Sequence, residues 1–172
     1  MQKSLRLLGA LALIMIGVWC WLIFFPSPEK AIRSRLNNLA NTVSFEPKDG
    51  TIARGYSVQK AAGFFTLDVE AQADIRGMQP LHFSGRDEIQ QALLWGANSL
   101  RGLKVEFLDI NVTVEPDKQT AKANLTARWA ISGNRDFDVL EFNFLLKKVD
   151  GKWLIYRVEM VKTLSLKTSR AA

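Results

Sequence analysis

The sequence predicts an α+β fold in which an N-terminal transmembrane helix precedes three helices packed on a curved antiparallel sheet. Three observations lead to this prediction. Residues 103–161 contain four long stretches of alternating apolar and polar residues, the pattern of strands with one buried face. Three upstream stretches repeat apolar residues at helical spacing, and residues 7–25 form an uncharged apolar run.

The composition bounds the domain count and the classes of partner. A chain of 172 residues can bury one good core but is too short for two domains to be expected. Its net charge of +6 is mild, and basic residues are interleaved with acidic ones, so we do not expect nucleic acid as a partner. The single cysteine, Cys20, excludes an internal disulfide and a thiolate metal cluster, and no cofactor or metal is expected.

The apolar run divides the chain into a basic head (1–6), a membrane anchor (7–25), one domain (26–163) and a flexible tail (164–172). At 1.5 Å per residue the run just spans a hydrocarbon core of about 30 Å. A cleaved signal peptide would need small residues at its end, and Trp19 argues against lipoprotein processing at Cys20. The short basic head is expected in the cytoplasm, which predicts a single-pass protein with an extracytoplasmic domain, periplasmic if bacterial. Basic residues after the span weaken that orientation signal.

Capping residues and apolar spacing predict the three helices. Ser27 and Pro28 start the first, in which Ile32 begins a buried stripe ending at Val43. Residues 44–55 are expected to form a loop before a second helix over 56–65. Ser84 and Asp87 form a capping-box variant that opens a third helix ending near Ser99.

The alternation of apolar and polar residues predicts the strands. The need to place the apolar residues of paired strands on the same face predicts the lengths of their turns. A strand is expected over 67–76, followed by a turn and a short return strand over 81–83. The first long strand changes phase near Leu108, which indicates a bulge. A four-residue loop over 132–135 and a three-residue loop over 149–151 keep apolar faces together. The second of these loops would pair Phe144 with Tyr156 and Glu141 with Glu159.

Three short segments carry a resemblance to a known group of proteins. They are residues 64–69 at the entry to a strand, Gly85 to Ile89 opening a helix, and Asp150 to Trp153 before the last strand. In this order they resemble the nuclear transport factor 2-like, or SnoaL-like, superfamily over about residues 28–161. The resemblance implies a cystatin-like α+β cone, with helices on the concave sheet face above an apolar pocket. It also implies several functions, since the superfamily includes isomerases, dehydratases, hydrolases, dimerising transport factors and membrane-anchored secretion components.

An isomerase in such a cone needs a carboxylate base and an acid donor held in an apolar cavity. The sequence offers four candidates for these catalytic roles: Asp74, Tyr56, His82 and Asp138. An exposed or hydrogen-bonded structural role remains the alternative for each. The expected pocket residues are Trp95, Trp129, Phe142 and Tyr156.

The outward face of the sheet mixes both charges with Leu145 and Ile155 and is a candidate interaction face. Its predicted members are Thr126, Arg128, Glu141, Asn143, Arg157 and Glu159. A second copy or an envelope protein is the expected partner, and a small apolar ligand could occupy the pocket. Because the predicted inner face carries scarcely any ionisable group, we favour a membrane-anchored, non-catalytic binding or assembly module. The alternative is a small-molecule isomerase, dehydratase or hydrolase of the SnoaL or ketosteroid isomerase type.

Overall fold

The computed structural model describes residue 15 and residues 27–73, 81–134 and 137–163. Three helices and six strands make up this part of the chain. The helices are α1 (Pro28–Val43), α2 (Thr51–Ala62) and α3 (Arg86–Ser99). The strands are β1 (Phe65–Ala73), β2 (Leu81–Ser84), β3 (Leu103–Val114), β4 (Thr120–Ile131), β5 (Phe137–Val149) and β6 (Lys152–Thr163).

The strands form one sheet in the order β2-β1-β6-β5-β4-β3, and the three helices cover one of its faces. The prediction of an α+β domain with three helices on a curved sheet is thereby confirmed. One pairing differs from the antiparallel expectation, because β1 and β6 run in parallel. No local turn joins these two strands, and alternation of side chains carries no information on strand direction. We call the sheet side toward the helices the inner face and the other side the outer face.

Helix α1 begins and packs as its sequence predicts. The hydroxyl of Ser27 accepts a hydrogen bond from the Lys30 amide at 3.4 Å, and Pro28 occupies the first turn. Ile32 and Leu36 are completely buried, and Val43 is partly buried. The stripe spaced three and four residues apart therefore anchors this helix in the core.

The other two helices differ from their predictions at the N-terminus. Helix α2 begins at Thr51, inside the stretch expected to be a loop, and ends at Ala62, while Phe65 belongs to β1. Helix α3 begins at Arg86 with Gly85 as its N-cap, so the predicted Ser84 cap does not form. Instead the Glu88 carboxylate accepts a hydrogen bond from the Ser84 backbone amide at 2.7 Å. In a capping box the glutamate bonds to the amide of the N-cap residue, whereas here it bonds to the residue before the N-cap.

Strand β1 contains a bulge that the sequence does not reveal. Its register against β6 shifts between Phe65 and Glu70. As a result Leu67, which alternation predicts to be buried, is 75% exposed. The Arg86 side chain donates a hydrogen bond from Nε to the Phe65 carbonyl oxygen at 3.0 Å, which ties the bulged segment to α3.

The predicted bulge in β3 is confirmed, because its register against β4 shifts between Leu108 and Asn111 and Asp109 has a φ of 50°. The register between β4 and β5 is also as predicted, with Trp129 opposite Asp138. β4 ends at Ile131 and β5 begins at Phe137, and the predicted loop over 132–135 lies partly outside the described residues. The alternation of buried and exposed residues is enough to predict this pairing, because the register between β4 and β5 contains no bulge.

The β5–β6 hairpin corrects the predicted three-residue loop. Val149 pairs with Lys152 across a two-residue Asp150-Gly151 turn, both residues having positive φ. A first bulge at Tyr156 then shifts the ladder, so that Phe144 lies opposite Val158 rather than Tyr156, and a second bulge follows at Val161. The prediction that the apolar residues of β5 and β6 share one face is therefore correct. Bulges in β6, and not a longer loop, bring them onto that face. The predicted place of Ile155 on the outward face is wrong, because Ile155 lies opposite Leu146 and is 2% exposed.

Among the described segments, none of the helices has the length and apolar character needed to cross a bilayer. The predicted anchor over residues 7–25 lies outside the described residues except for Met15.

Candidate functional site

The inner face of the sheet is filled by apolar side chains. Ala123, Phe144 and Ile155, from β4, β5 and β6, are each 6% exposed or less. The Phe107 and Phe144 rings meet edge to face with centroids 5.7 Å apart, and the Phe142 centroid lies 6.0 Å from that of Phe144. These contacts occupy the space in which an open cone would hold a ligand.

A small apolar cavity lies between the helices. Its volume is about 100 Å³, and its lining includes Val43, Val58, Leu93 and Leu103. Pockets that hold drug-sized ligands are typically about 300–1,000 Å³. The cavity can therefore take only a very small apolar molecule. Arg54 is the one ionisable residue in its lining.

The Arg54 side chain is fully engaged in holding the backbone together. Its guanidinium donates to five carbonyl oxygens, two at the end of α3 (Ala97 at 2.8 Å and Leu100 at 3.0 Å) and three in the flanking loops. It also lies 4.5 Å from the centroid of the Phe45 ring. All five guanidinium N–H groups are used, so Arg54 is a structural clamp and not an available acid or anion site.

The three catalytic candidates that the structure describes do not line this cavity. Tyr56 is 68% exposed on α2, and His82 is exposed on β2. Asp138 is exposed near the start of β5, opposite Trp129. Asp74 lies outside the described residues. The described candidates therefore lie on exposed surfaces of three different elements and do not share an apolar cavity.

Two of the four predicted pocket residues face away from the interior. Trp95 is 73% exposed, because Ile89, Leu93 and Ala97 form the inward side of α3 and Trp95 lies on the opposite side of the helix. Tyr156 lies at the first bulge of β6, with its ring centroid 5.7 Å from the Lys147 ammonium on the outer face. The other two, Trp129 and Phe142, are partly buried on the inner face.

The structure brings all six predicted interaction-face residues together on the outer face. Thr126 lies opposite Glu141, and Asn143 lies between Asn124 and Glu159. The predicted pairing of Glu141 with Glu159 does not form, because the two-residue turn and the two bulges in β6 together place Lys162 opposite Glu141. Arg128 forms an ion pair with Glu106, and Arg157 forms one with Glu70 at 2.6 Å.

Hydrogen bonds between these charged groups influence their protonation. Lys104 and Arg128 both donate to Glu106 and lower the pKa of its carboxyl group. Glu70 accepts a hydrogen bond from Arg157 and raises the pKa of that guanidinium. The groups are exposed to solvent, so the pairs organise the surface rather than contribute much stability. Over the part of the chain with described coordinates, no three His, Cys, Asp or Glu side chains are grouped to hold a metal ion.

The comparisons with known proteins identify the fold. A nuclear transport factor 2-like protein of unknown function from Pseudomonas putida KT2440 aligns with a TM-score of 0.64 and 15% identity, over 86% of this chain and 95% of that one. A protein provisionally named a scytalone dehydratase, from Novosphingobium aromaticivorans DSM 12444, gives a TM-score of 0.56 and 18% identity, over 78% and 84%.

A provisionally assigned calcium/calmodulin dependent protein kinase II association domain from Xanthomonas campestris aligns with a TM-score of 0.52 and 14% identity, over 86% of this chain and 87% of that one. No protein-family model matches the sequence, and no curated protein matches it either. At these identities the likeness shows the fold alone, which is the cystatin-like α+β cone of nuclear transport factor 2-like and SnoaL-like proteins.

Proposed function

We propose that this chain uses its nuclear transport factor 2-like fold as a non-catalytic binding or assembly module. Residues 7–25 would hold it at a membrane, with the domain on the extracytoplasmic side. Its working surface would be the outer face of the sheet, where Thr126, Arg128, Glu141, Asn143, Arg157 and Glu159 would contact a protein partner. The proposal makes the inner face a core rather than an active site.

The contrast between the two sheet faces carries this proposal. The inner face holds buried alanines, leucines and aromatics. The cavity of about 100 Å³ lies between the helices, and the guanidinium of Arg54, the ionisable group in its lining, is already saturated with hydrogen bonds. The outer face presents hydrogen-bonding and charged groups across all six strands. A surface of this kind can recognise another protein through hydrogen bonds and charge complementarity.

A second candidate is a small-molecule enzyme of the SnoaL or ketosteroid isomerase type. The observation favouring it is the shared fold with the protein named a scytalone dehydratase. Asp74 would have to supply the carboxylate base, since the described candidates lie apart on exposed surfaces. A ligand-dependent rise in the melting temperature of the parent chain, lost on Asp74→Asn, would favour the enzyme.

Photocrosslinking from the outer face tests the assembly proposal. A photoreactive amino acid placed at Asn143 of the full chain, in the native host's membranes, should crosslink to a discrete protein band. The same probe at Gln59, exposed on α2, is the matched control and should give no such band. Arg157→Glu should weaken the Asn143 crosslink several-fold, because it reverses a charge in the contact surface.

Crosslinking from Gln59 but not from Asn143 would contradict the proposal. Equal crosslinking from both positions would also contradict it, because contact would then not depend on the outer face.

A further inference from the structure

The edge strand β3 is covered along its first half. Leu103 exchanges two backbone hydrogen bonds with Phe45, at 2.8 and 2.9 Å, and the Ser44 hydroxyl accepts a hydrogen bond from the Val105 amide at 2.9 Å. The bulge of β3 follows. Covering an edge with another segment and bending it with a bulge are two ways in which proteins keep edge strands from pairing with other chains. The first half of β3 is therefore protected.

The second half of β3 offers unpaired backbone groups. β3 is the last strand of the sheet, and no described segment pairs with the free side of residues 110–114, which we call the open edge. The Glu115 amide donates to the Thr120 carbonyl oxygen at 2.9 Å, so Glu115 points toward β4 and the direction alternates from there back along the strand. The residues whose N–H and C=O groups point away from β4 are Ile110, Val112 and Val114.

The side chains of the open edge do nothing to discourage pairing. Asn111 and Thr113 are exposed on the outer face, and Val112 and Val114 are partly buried on the inner face. The segment contains no charge and no proline, the residues that usually guard an edge, and its β-branched residues favour a strand. The opposite edge, β2, is only four residues long, which is itself a protection. The open edge is therefore where this sheet can accept another strand.

We propose that the open edge binds an extended segment of another protein, which adds to the sheet as a seventh strand beside β3. Donors and acceptors spaced along a strand edge are satisfied together by a second extended backbone. The added segment would bond to the N–H and C=O groups of Ile110, Val112 and Val114. This contact is separate from the outer face and goes beyond the proposed function.

The surroundings of the open edge define the side chains that the added segment should carry. Its residues on the inner side would lie beside Val112 and Val114, where apolar side chains fit. Its residues on the outer side would lie beside Asn111 and Thr113, where uncharged polar side chains fit. The partner segment therefore alternates apolar and polar residues and has no proline where it bonds to β3.

Helix α1 runs back along β3 toward the open edge. Its C-terminal end lies at the start of β3, because Phe45 pairs with Leu103. Nearer the start of α1, the Arg35 guanidinium lies 4.6 Å from the centroid of the Phe64 ring. The Phe64 carbonyl oxygen accepts a hydrogen bond from the first residue of a cross-strand row formed by Ile155, Leu146, Ala121 and Val114. The start of α1 therefore lies at the Val114 end of β3.

This direction argues against a second copy of the chain as the occupant. The choice of occupant rests on the proposed membrane anchor. With residues 7–25 in the bilayer, the Val114 end of β3 faces the membrane in every copy. Two identical edges that join with their inner faces on the same side must run antiparallel, which would turn one copy away from the membrane. A segment of a different protein has no such restriction.

Hydrogen exchange of single amides, followed by NMR on the full chain in detergent micelles, tests the strand pairing. The probe is a synthetic seven-residue peptide that alternates valine with threonine and asparagine. At millimolar concentration it should slow exchange of the Ile110, Val112 and Val114 amides by about tenfold or more, because they gain hydrogen bonds. The Thr113 amide already bonds to β4, so its exchange should hardly change.

Two controls make this result specific to backbone pairing. The same peptide methylated at every backbone nitrogen should protect none of these amides. Val112→Pro removes one outward donor and leaves the β4 ladder in place, so it should abolish protection of Ile110 and Val114 while the melting temperature shows that the sheet is intact. Absence of protection by the unmodified peptide, or equal protection by the methylated one, would overturn the proposal.

Photocrosslinking in the native host's membranes identifies the occupant. A photoreactive amino acid at Thr113 of the full chain should capture a different protein, and Val112→Pro should reduce this product about fivefold without changing the crosslink from Asn143. Capture of a second, differently tagged copy at Thr113 would overturn the choice of occupant. If Thr113 captures nothing while Asn143 does, this proposal fails and the proposed function stands. If Asn143 alone captures nothing, the proposed function fails instead.

Discussion

Replacing Arg54 with Met is expected to lower the free energy of unfolding of the domain by about 3 kcal/mol, because hydrogen bonds to charged groups contribute about 1.5–3 kcal/mol and are not additive. The substitution removes donors from five backbone carbonyls while keeping a side chain of similar length. Denaturant unfolding of the full chain, followed by tryptophan fluorescence, measures the change.

Two further variants make this result specific. Arg33→Met alters an exposed arginine on α1 and should change stability by no more than about 0.5 kcal/mol. Arg54→Lys keeps the charge but loses the planar fork of donors, so it should recover less than half of the loss. Equal stability of Arg54→Met and Arg33→Met would contradict the role of Arg54 as a clamp.

Truncating Phe144 to Ala should cost about 3–5 kcal/mol, the range found for buried aromatic residues. Phe144 is 6% exposed and its ring contacts the rings of Phe107 and Phe142. The new cavity would be apolar, so small apolar solutes such as benzene should stabilise this variant more than the parent. Calorimetric melting with and without benzene measures both effects.

Leu67→Ala is the matched control, because Leu67 is 75% exposed in the bulged part of β1. Its melting temperature should hardly change. If Leu67→Ala were as destabilising as Phe144→Ala, the β1 bulge and the filled inner face would both be incorrect.

Much of the fold can be predicted because burial imposes a period on the sequence. Alternation in β4 predicts its buried alanines, and parity predicts its register with β5. The phase change near Leu108 shows in the sequence because apolar residues occur on both sides of it. The two bulges of β6 are harder to predict, since Tyr156 and Leu154 continue an apparently regular apolar alternation.

The outer face could be predicted for the same reason as the inner one. Residues such as Thr126 and Asn143 alternate with buried ones, so their common surface follows from the strand period. Arg54 could not be found this way. Its partners are backbone carbonyls between residue 46 and residue 101. Every residue has a backbone carbonyl, so no pattern of side chains in the sequence reveals these partners. The same long-range clamp explains why α2 begins within a stretch that local turn residues predict to be a loop.

If the outer face is the working surface and the inner face is core, a partner covers Asn143 in the native membrane. Cysteine accessibility measures this cover: Asn143→Cys and Gln59→Cys, each in a Cys20→Ser full chain, are treated with a membrane-impermeant maleimide on spheroplasts of the native host. We expect rapid labelling of Gln59→Cys and strong protection of Asn143→Cys, which detergent dilution should relieve. Labelling of Asn143→Cys as rapid as that of Gln59→Cys in the intact membrane would contradict it.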